Sequence, residues 1–329
     1  MLPDPALRAA EATRPLQPPS VCAVLITYHP GDEFPRVLER ISDQVGALVI
    51  VDNGSGDAEL GMLQRAAAGT SIQLICNGEN LGIASALNTG IHRAASLGYA
   101  WVLLLDQDTL VSPDLVPSLL AIQASFLAPD RLAVIGAGYA GDVGLPCAPS
   151  GEDQSGAPWQ DVESVITSGS LLSVAAFDAI GPFREEFFID HVDTDYCRRA
   201  RAGAYRVIKS MSPLMSHAIG APTTHRVLWM DKRTTNHGPD RRYYFTRNDT
   251  VLLRENGKHP WGMWALKSLL RSFRICKRII LYEPMKTRKV SAVMHGWRDG
   301  VRGRLGPRGG SRGASMHAKP VQSVPRAHK

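Results

Sequence analysis

Cysteine is scarce and scattered in this chain of 329 residues: Cys22, Cys76, Cys147, Cys197 and Cys276 are odd in number and show no CxxC spacing. Neither a disulfide framework nor a structural zinc site is suggested by that pattern, and a reducing cytoplasm is the simpler home. Long apolar runs are missing too, since no stretch reaches the roughly 18–20 uninterrupted apolar residues that a membrane-crossing helix needs. There is no GxGxxG at the first crossover and no GxxxxGK[ST] anywhere, which argues against a dinucleotide dehydrogenase and a P-loop NTPase. Internal repeats are also absent. Residues 1–20, MLPDPALRAAEATRPLQPPS, lack a continuous apolar core and are expected to be a disordered leader rather than a secretory signal.

Acidic residues nearly vanish toward the end. Residues 261–329 hold 6 Lys and 10 Arg against Glu283 and Asp299, a net charge of +14, whereas residues 1–260 carry −8 within the overall +6. Two regions of opposite charge balance imply two different jobs. In the basic region Trp261, Trp264, Leu266, Leu269, Leu270, Phe273, Ile275, Ile279 and Ile280 interleave with Lys267, Arg271, Arg274, Lys277 and Arg278. That is the composition of an amphipathic helix lying in an anionic membrane interface, the alternative being a helix packed on the main domain with a basic outer face. The stretch RGRLGPRGGSR at 302–312 is accompanied by no nucleic-acid module, so no nucleic-acid partner is expected and the tail reads as disordered.

With 44% hydrophobic and 21% charged residues, the chain has enough apolar material for one large globular domain with a helical appendage. Apolar, β-branched runs at 21–27, 47–51, 72–75 and 101–105 read as buried strands, and amphipathic patterns between them read as helices, the last over 83–97. This alternation predicts an α/β fold with a mostly parallel sheet and helices on both faces. Farther on, helices are expected over 113–127, 174–180 and 195–202, strands over 132–138 and 205–208, and a surface loop over 139–163. The predicted organisation is a leader 1–20, a catalytic domain 21–255, a basic helical region 256–305 and a disordered tail 306–329.

Ligands of such sheets bind beyond the carboxyl ends of the strands, and there the polar residues of this chain collect. Thr27-Tyr28-His29 follows the first strand, Asp52-Asn53-Gly54-Ser55 the second, Asn77-Gly78-Glu79-Asn80-Leu81-Gly82 the third and Asp106-Gln107-Asp108 the fourth. Two residues apart on an extended strand, Asp106 and Asp108 would point the same way, and their repulsion would be relieved by a hard cation such as Mg²⁺ or Mn²⁺ carrying a substrate phosphate. Asp52 is placed to accept from a nucleobase N–H, with main-chain groups of Thr27 and Tyr28 beside the base. The helix opened by Asn80 and Gly82 would present N–H groups to a diphosphate. A second cluster, FFIDHVDTDY at 187–196, supplies three carboxylates and a histidine; Thr194 or Asp195 is expected to cap the next helix, leaving another acid free to act as a general base.

The motifs VCAVLITYHP, VDNGS, NLGIASALNTGI, LLLDQD, TSGSLL and FFIDHVDTDYCRRA, in this order and spacing, resemble the family 2 inverting glycosyltransferases of GT-A fold. Within them, FIDHVDTDY is similar to bacterial rhamnosyltransferases that use dTDP-L-rhamnose. The likeness covers residues 21 to about 220, and more loosely RRYYFTRN at 241–248 and GWRDGVRGRLG at 296–306. It implies a metal at Asp106 and Asp108 completed by His217, a pyrimidine reader at Asp52 and a catalytic base at Asp193, although Val192 replaces the first acid of the usual Glu-Asp pair. Thr167 to Ser170 would line the sugar side. The implied reaction transfers rhamnose to a hydroxyl of a lipid-linked or glycolipid acceptor, for rhamnolipid or cell-surface polysaccharide synthesis, at the inner face of the cytoplasmic membrane. Use of a UDP-hexose is the alternative. A nucleotidyltransferase is disfavoured by the lack of a Gly- and Lys-rich phosphate loop, and a non-catalytic adaptor by the presence of every candidate acid.

Overall fold

The computed structural model describes residues 20–139, 157–216, 223–227, 230–234, 236–256 and 262–309. Half of the central sheet is parallel, with β1 (Val21–Thr27), β2 (Ala47–Asp52), β3 (Gln73–Cys76) and β4 (Trp101–Asp106) ordered β3-β2-β1-β4. Its crossovers contain α1 (Phe34–Ser42), α2 (Asp57–Ala67) and α3 (Ile83–Ser96). Every residue of β1 is buried, and because successive side chains leave opposite faces of a strand, they divide between two cores. Val21, Ala23 and Leu25 pack with Phe34, Val37 and Ile41 of α1, while Cys22, Val24 and Ile26 pack with Ala84, Leu87 and Ile91 of α3. Burial on both faces is why the sequence shows a continuous apolar run instead of alternation.

Past β4 the sheet becomes mixed. It takes in β5 (Leu110–Val111), β6 (Leu132–Tyr139), β7 (Trp159–Asp161), β8 (Ser170–Ser173) and β9 (Arg206–Ser216), with α4 (Leu115–Ser125), α5 (Val174–Ile180) and α6 (Val192–Ala202) around it. β8 runs antiparallel between β4 and β6, and β6 lies parallel to β9, completing the order β3-β2-β1-β4-β8-β6-β9-β5. The strand expected at 205–208 is the first third of an 11-residue strand. Of the expected surface loop, 140–156 lie outside the described residues, but Trp159–Asp161 is an antiparallel partner of β9. Its ties are tertiary: the Trp159 ring lies 5.2 Å from that of Phe126, and Asp161 pairs with Arg206.

A short antiparallel pair, β10 (Thr223–Val227) and β11 (Met230–Thr234), precedes three helices, α7 (Pro239–Glu255), α8 (Met263–Tyr282) and α9 (Lys286–Val301). α9 packs closely on α7. A Cβ at Gly296 would stand 2.4 Å from the Tyr243 carbonyl oxygen, so only glycine permits this approach. Buried Glu283 bridges the unit, accepting from Lys289 Nζ at 2.8 Å and from Arg242. Residues 306–309, expected to open the disordered tail, are docked instead: Gly306 N–H donates to the Glu186 carbonyl at 2.8 Å and Arg308 N–H to the Tyr244 hydroxyl at 2.7 Å. Among the described residues no helix is long and apolar enough to cross a membrane.

Candidate active site

Three strand ends and one helix start meet at one rim, joined by side-chain bridges. Thr27 ends β1, and the carbonyl of this buried residue accepts from Asn53 N–H at 2.8 Å. Tyr28 projects outward, 45% exposed. Its N–H donates to Gln107 Oε1 at 2.7 Å while Gln107 Nε2 donates to its carbonyl at 3.1 Å, a two-way staple between the ends of β1 and β4. Nothing local in the sequence shows that Gln107, between two acidic neighbours, reaches across to another strand.

The acids of that motif do not stand on the strand together. β4 ends at Asp106, and Thr109 N–H returns to the Asp106 carbonyl at 3.3 Å, so Gln107 and Asp108 occupy a turn and the extended-strand argument for a shared direction does not hold. Asp106 is half-buried and Asp108 exposed. Behind them, Asp106 N–H donates to Ser168 Oγ at 2.9 Å, which also shares a 2.6 Å bond with Thr109 Oγ1. Buried Ser168 thus braces the turn, while Ser170, also buried, donates to the Ile166 carbonyl at 2.6 Å.

Asp52, 2% exposed, is filled by its own neighbourhood. Gly54 N–H and Ser55 N–H donate to Oδ2 at 3.2 and 3.0 Å, Thr27 Oγ1 donates to Oδ1 at 3.2 Å, and Ser55 Oγ donates to Oδ1 as well. A carboxylate offers about four lone-pair sites. A base N–H reaching Asp52 must therefore displace a donor, and the rotatable Ser55 hydroxyl is the one that can leave.

The expected diphosphate cradle is also closed. Asn53 Oδ1 accepts from Asn77 Nδ2 and Leu81 N–H, each at 3.1 Å, and Asn80 Oδ1 accepts from Asn53 Nδ2 and Gly82 N–H, each at 3.0 Å. The first N–H of α3, that of Ile83, donates to the Phe188 carbonyl at 2.7 Å. Three backbone donors of this stretch, the N–H groups of Leu81, Gly82 and Ile83, are thus used internally. What Gly82 allows is close approach: at φ +87°, a Cβ there would lie 2.7 Å from Phe188 O.

Phe188 belongs to the loop that carries the second acidic cluster. With φ 64° and ψ −65°, and Ile189 N–H donating to the Phe187 carbonyl at 2.7 Å, it centres a γ-turn of the rare strained kind. Asp190 and His191 follow at φ 64° and 61°. Such backbone costs of order 1–3 kcal/mol per residue and persists only where its surroundings enforce it. Here Arg247 and Asn248 of α7, both fully buried, do so. Asn248 Nδ2 donates to the carbonyls of Phe187, Ile189 and Asp190 at 2.9–3.0 Å. Arg247 Nη2 donates to those of Glu186 and Phe187 at 2.9 and 3.0 Å, and Nη1 to that of Gly306. Its guanidinium lies 4.9 Å from the Tyr244 ring centroid. This clamp lay in RRYYFTRN, and no sequence pattern linked it to the loop some 60 residues away.

His191, in the left-handed conformation, stands at the start of α6, which begins at Val192 without any side-chain cap. Thr194 and Asp195 fall inside the first turn, so neither caps the helix as expected. Asp195 is wholly buried and binds Arg199 at 2.8 Å, Arg198 at 3.4 Å and Arg184 at 3.5 Å. Asp193 is half-buried, and its Oδ1 accepts from Thr194 N–H at 2.7 Å and Thr194 Oγ1 at 3.3 Å. Together with Leu104, Val165, Phe183 and Tyr196 it borders an apolar cavity of about 10 Å³. Burial pushes its carboxyl above the ordinary aspartate value, against the opposing Thr194 N–H. Thr167 and Ser170 border the same cavity, so residues 167–170 join the Asp106 turn to Asp193. Asp190 pairs with Arg241 at 3.1 Å.

His217 lies outside the described residues. Among these, no three His, Cys, Asp or Glu side chains form a metal cluster. The donor set at the end of β4 still fits Mg²⁺ or Mn²⁺. Asp106 and exposed Asp108 offer two hard oxygen ligands at a substrate rim, and such ions are commonly held by one or two carboxylates with phosphates and water as the remainder.

Comparison with known proteins agrees with this fold. Residues 22–142 match the profile described as Glycosyl transferase family 2. Over 301 residues the chain is 25% identical to dTDP-rhamnosyl transferase RfbF of Shigella flexneri, covering 87% of this chain and 97% of that one. In fold it is similar to S. aureus TarS 1-349 in complex with UDP-GlcNAc, with a TM-score of 0.54, 15% identity and coverage of 85% and 81%. It is similar also to GalNAc-T7 with UDP, GalNAc and Mn²⁺, with a TM-score of 0.53, 11% identity and coverage of 80% and 58%. The chain spans 43% of the longer TarS chain. By its motif order and the profile it matches, the segment 22–142 of this chain is a Glycosyl transferase family 2 segment, set in a mixed sheet of GT-A-like order.

Proposed function

We propose that this glycosyltransferase moves L-rhamnose from dTDP-L-rhamnose to a hydroxyl of a lipid-linked or glycolipid acceptor, with inversion at the anomeric carbon. The observation that carries the donor is the likeness to a dTDP-rhamnosyl transferase along nearly the full length of that protein. Asp193 is the base. Both Thr194 bonds go to its Oδ1, which fixes the carboxylate and leaves Oδ2 to take the acceptor proton. As that proton moves, the acceptor oxygen bonds to C1, the bond from C1 to the nucleoside diphosphate breaks, and Asp193 later returns the proton to solvent. Asp106 and Asp108 would hold a divalent cation, with His217 the third ligand that the resemblance implies, and the bound ion would supply charge neutralisation at the departing diphosphate. Exposed Tyr28 and the Asp52 turn flank the nucleobase, while Asn80 fixes Gly82 through its N–H and Gly82 lets the Phe188 loop approach. The basic helices bring the enzyme to the inner face of the cytoplasmic membrane, where a lipid-linked acceptor is presented.

Donor hydrolysis, with dTDP-L-rhamnose and UDP-glucose compared in Mn²⁺ and in chelator, tests this reading. Faster turnover of dTDP-L-rhamnose that chelation stops is expected; preference for UDP-glucose would move the enzyme to another nucleotide sugar. Asp193→Asn should lower transfer by about 10²–10⁴-fold while leaving nucleotide affinity near wild type. Equal loss of affinity would mean that the base lies elsewhere.

A further inference from the structure

The apolar residues of α8 do not form one buried stripe. Trp264, Ser268, Ser272, Cys276 and Ile279 face inward, where Trp297 Nε1 of α9 donates to Ser268 Oγ at 3.0 Å. Facing outward, Met263, Leu266, Leu270, Phe273, Ile280 and Leu281 are each 48–56% exposed. Seven of the eleven large hydrophobic residues exposed among the described residues fall within 263–285, a concentration that scattered surface apolar residues would not produce. Leu266, Leu270, Phe273 and Ile280 recur at i, i+4, i+7 and i+14, which sets them in one line along the helix. One position further round run Lys267, Arg271, Arg274 and Arg278, all exposed, with Lys277 between the rows. The helix contains no acidic residue.

Charge decides what can cover this face. A second copy would set one basic row against another with no carboxylate on the helix between them, and Asp249 of α7, a carboxylate beside the row, is already taken by Arg271 at 2.8 Å. Residues 310–329 carry Arg312, Lys319, Arg326 and Lys329 and no acid, so the end of the chain has the same sign. A bilayer rich in anionic lipid meets both rows, offering hydrocarbon to the apolar line and phosphate to the basic one. We infer that the outward face of α8 is the membrane-docking surface, with the helix lying in the plane of an anionic interface. Residues 1–260 carry a net −8, so the chain's excess of positive charge lies in residues 261–329, where this helix stands. The inference deepens the peripheral-membrane part of the proposed function.

Flotation of the full chain with equimolar phosphatidylcholine and phosphatidylglycerol vesicles, against phosphatidylcholine alone, reads it directly. Wild type should float with the anionic vesicles only and be released by salt. Leu270→Glu/Phe273→Glu and Arg271→Gln/Arg274→Gln should each weaken binding about tenfold or more, with donor hydrolysis in the absence of vesicles unchanged as the check on folding. Unaltered flotation of the Leu270→Glu/Phe273→Glu variant overturns the inference. So does wild type that stays unbound, or a dimer in sedimentation equilibrium that Phe273→Glu abolishes. A protein that floats yet hydrolyses no dTDP-L-rhamnose refutes the donor assignment and leaves the docking surface standing.

Discussion

The surroundings of Asp193 set the pH at which it can work as a base. It borders one apolar cavity with Val165, Phe183 and Tyr196, and burial raises the proton affinity of its carboxyl. The acidic limb of kcat should therefore lie above the ordinary aspartate value of about 4, and a pH–rate profile flat down to that value would dissociate Asp193 from the proton transfer. Stability has the opposite sense. Below the unfolded pKa the group is neutral in both states, and as pH rises through the raised folded value, ionisation in this setting takes stability away. Asp193→Asn should consequently melt at or above the wild-type temperature at neutral pH while losing transfer. Its neighbour Asp195 behaves differently, because three arginines surround it in full burial. Removing one partner of a buried charge set costs about 3–5 kcal/mol; Asp195→Ala should show that loss in denaturant unfolding. Both aspartates were evident in FFIDHVDTDY. That Asp193 is the one proposed as a base and Asp195 a strut follows from what packs around them, and the sequence does not print that.

At the scale of elements, the strained loop at 187–191 depends on α7 and on the start of α3. Asn248 satisfies three of its carbonyls, Arg247 shares that of Phe187 and takes that of Glu186 just before the loop, and Gly82 lets Phe188 approach the first N–H of α3. The loop leads directly into Asp193, so loosening it should misplace the base more than it disturbs the donor. Asn248→Ala is expected to lower kcat by one to two orders of magnitude with the KM for donor within a few-fold, as small misplacements do. Arg247→Lys keeps the charge but loses the fork that reaches several carbonyls, and partial rescue relative to Arg247→Met would mark a positioning role. If KM rises in step with the fall in kcat, the clamp is only structural. Strands 21–27 and 101–106 were legible because burial on two faces writes a continuous apolar run. Strand 159–161 was not, since its three residues are held by a long-range partner and by Phe126.

For the whole molecule, the basic helices are both cover and surface. α9 lies on α7 through Gly296, and residues beyond it return to the Glu186 carbonyl through Gly306. A chain cut at residue 261 would uncover Tyr243, Tyr244 and Arg247 together. It should lose thermal cooperativity and donor hydrolysis, and near-wild-type activity of such a truncation would separate the helices from the catalytic fold. The membrane role is better tested by point changes on the outward face of α8.

Sequence alone determined the alternation of strands and helices, the collection of acids at strand ends and the split between an acidic body and a basic end, because apolar period and charge are local properties. Tertiary structure decided how those residues are used. It filled Asp52 with its own turn, turned Asp108 away from the strand, gave the first N–H of α3 to Phe188, and divided α8 into a packed face and an open one. Each of these depends on contacts between residues far apart in the chain, where hydrogen-bond capacity and exposure are fixed only once the elements have met.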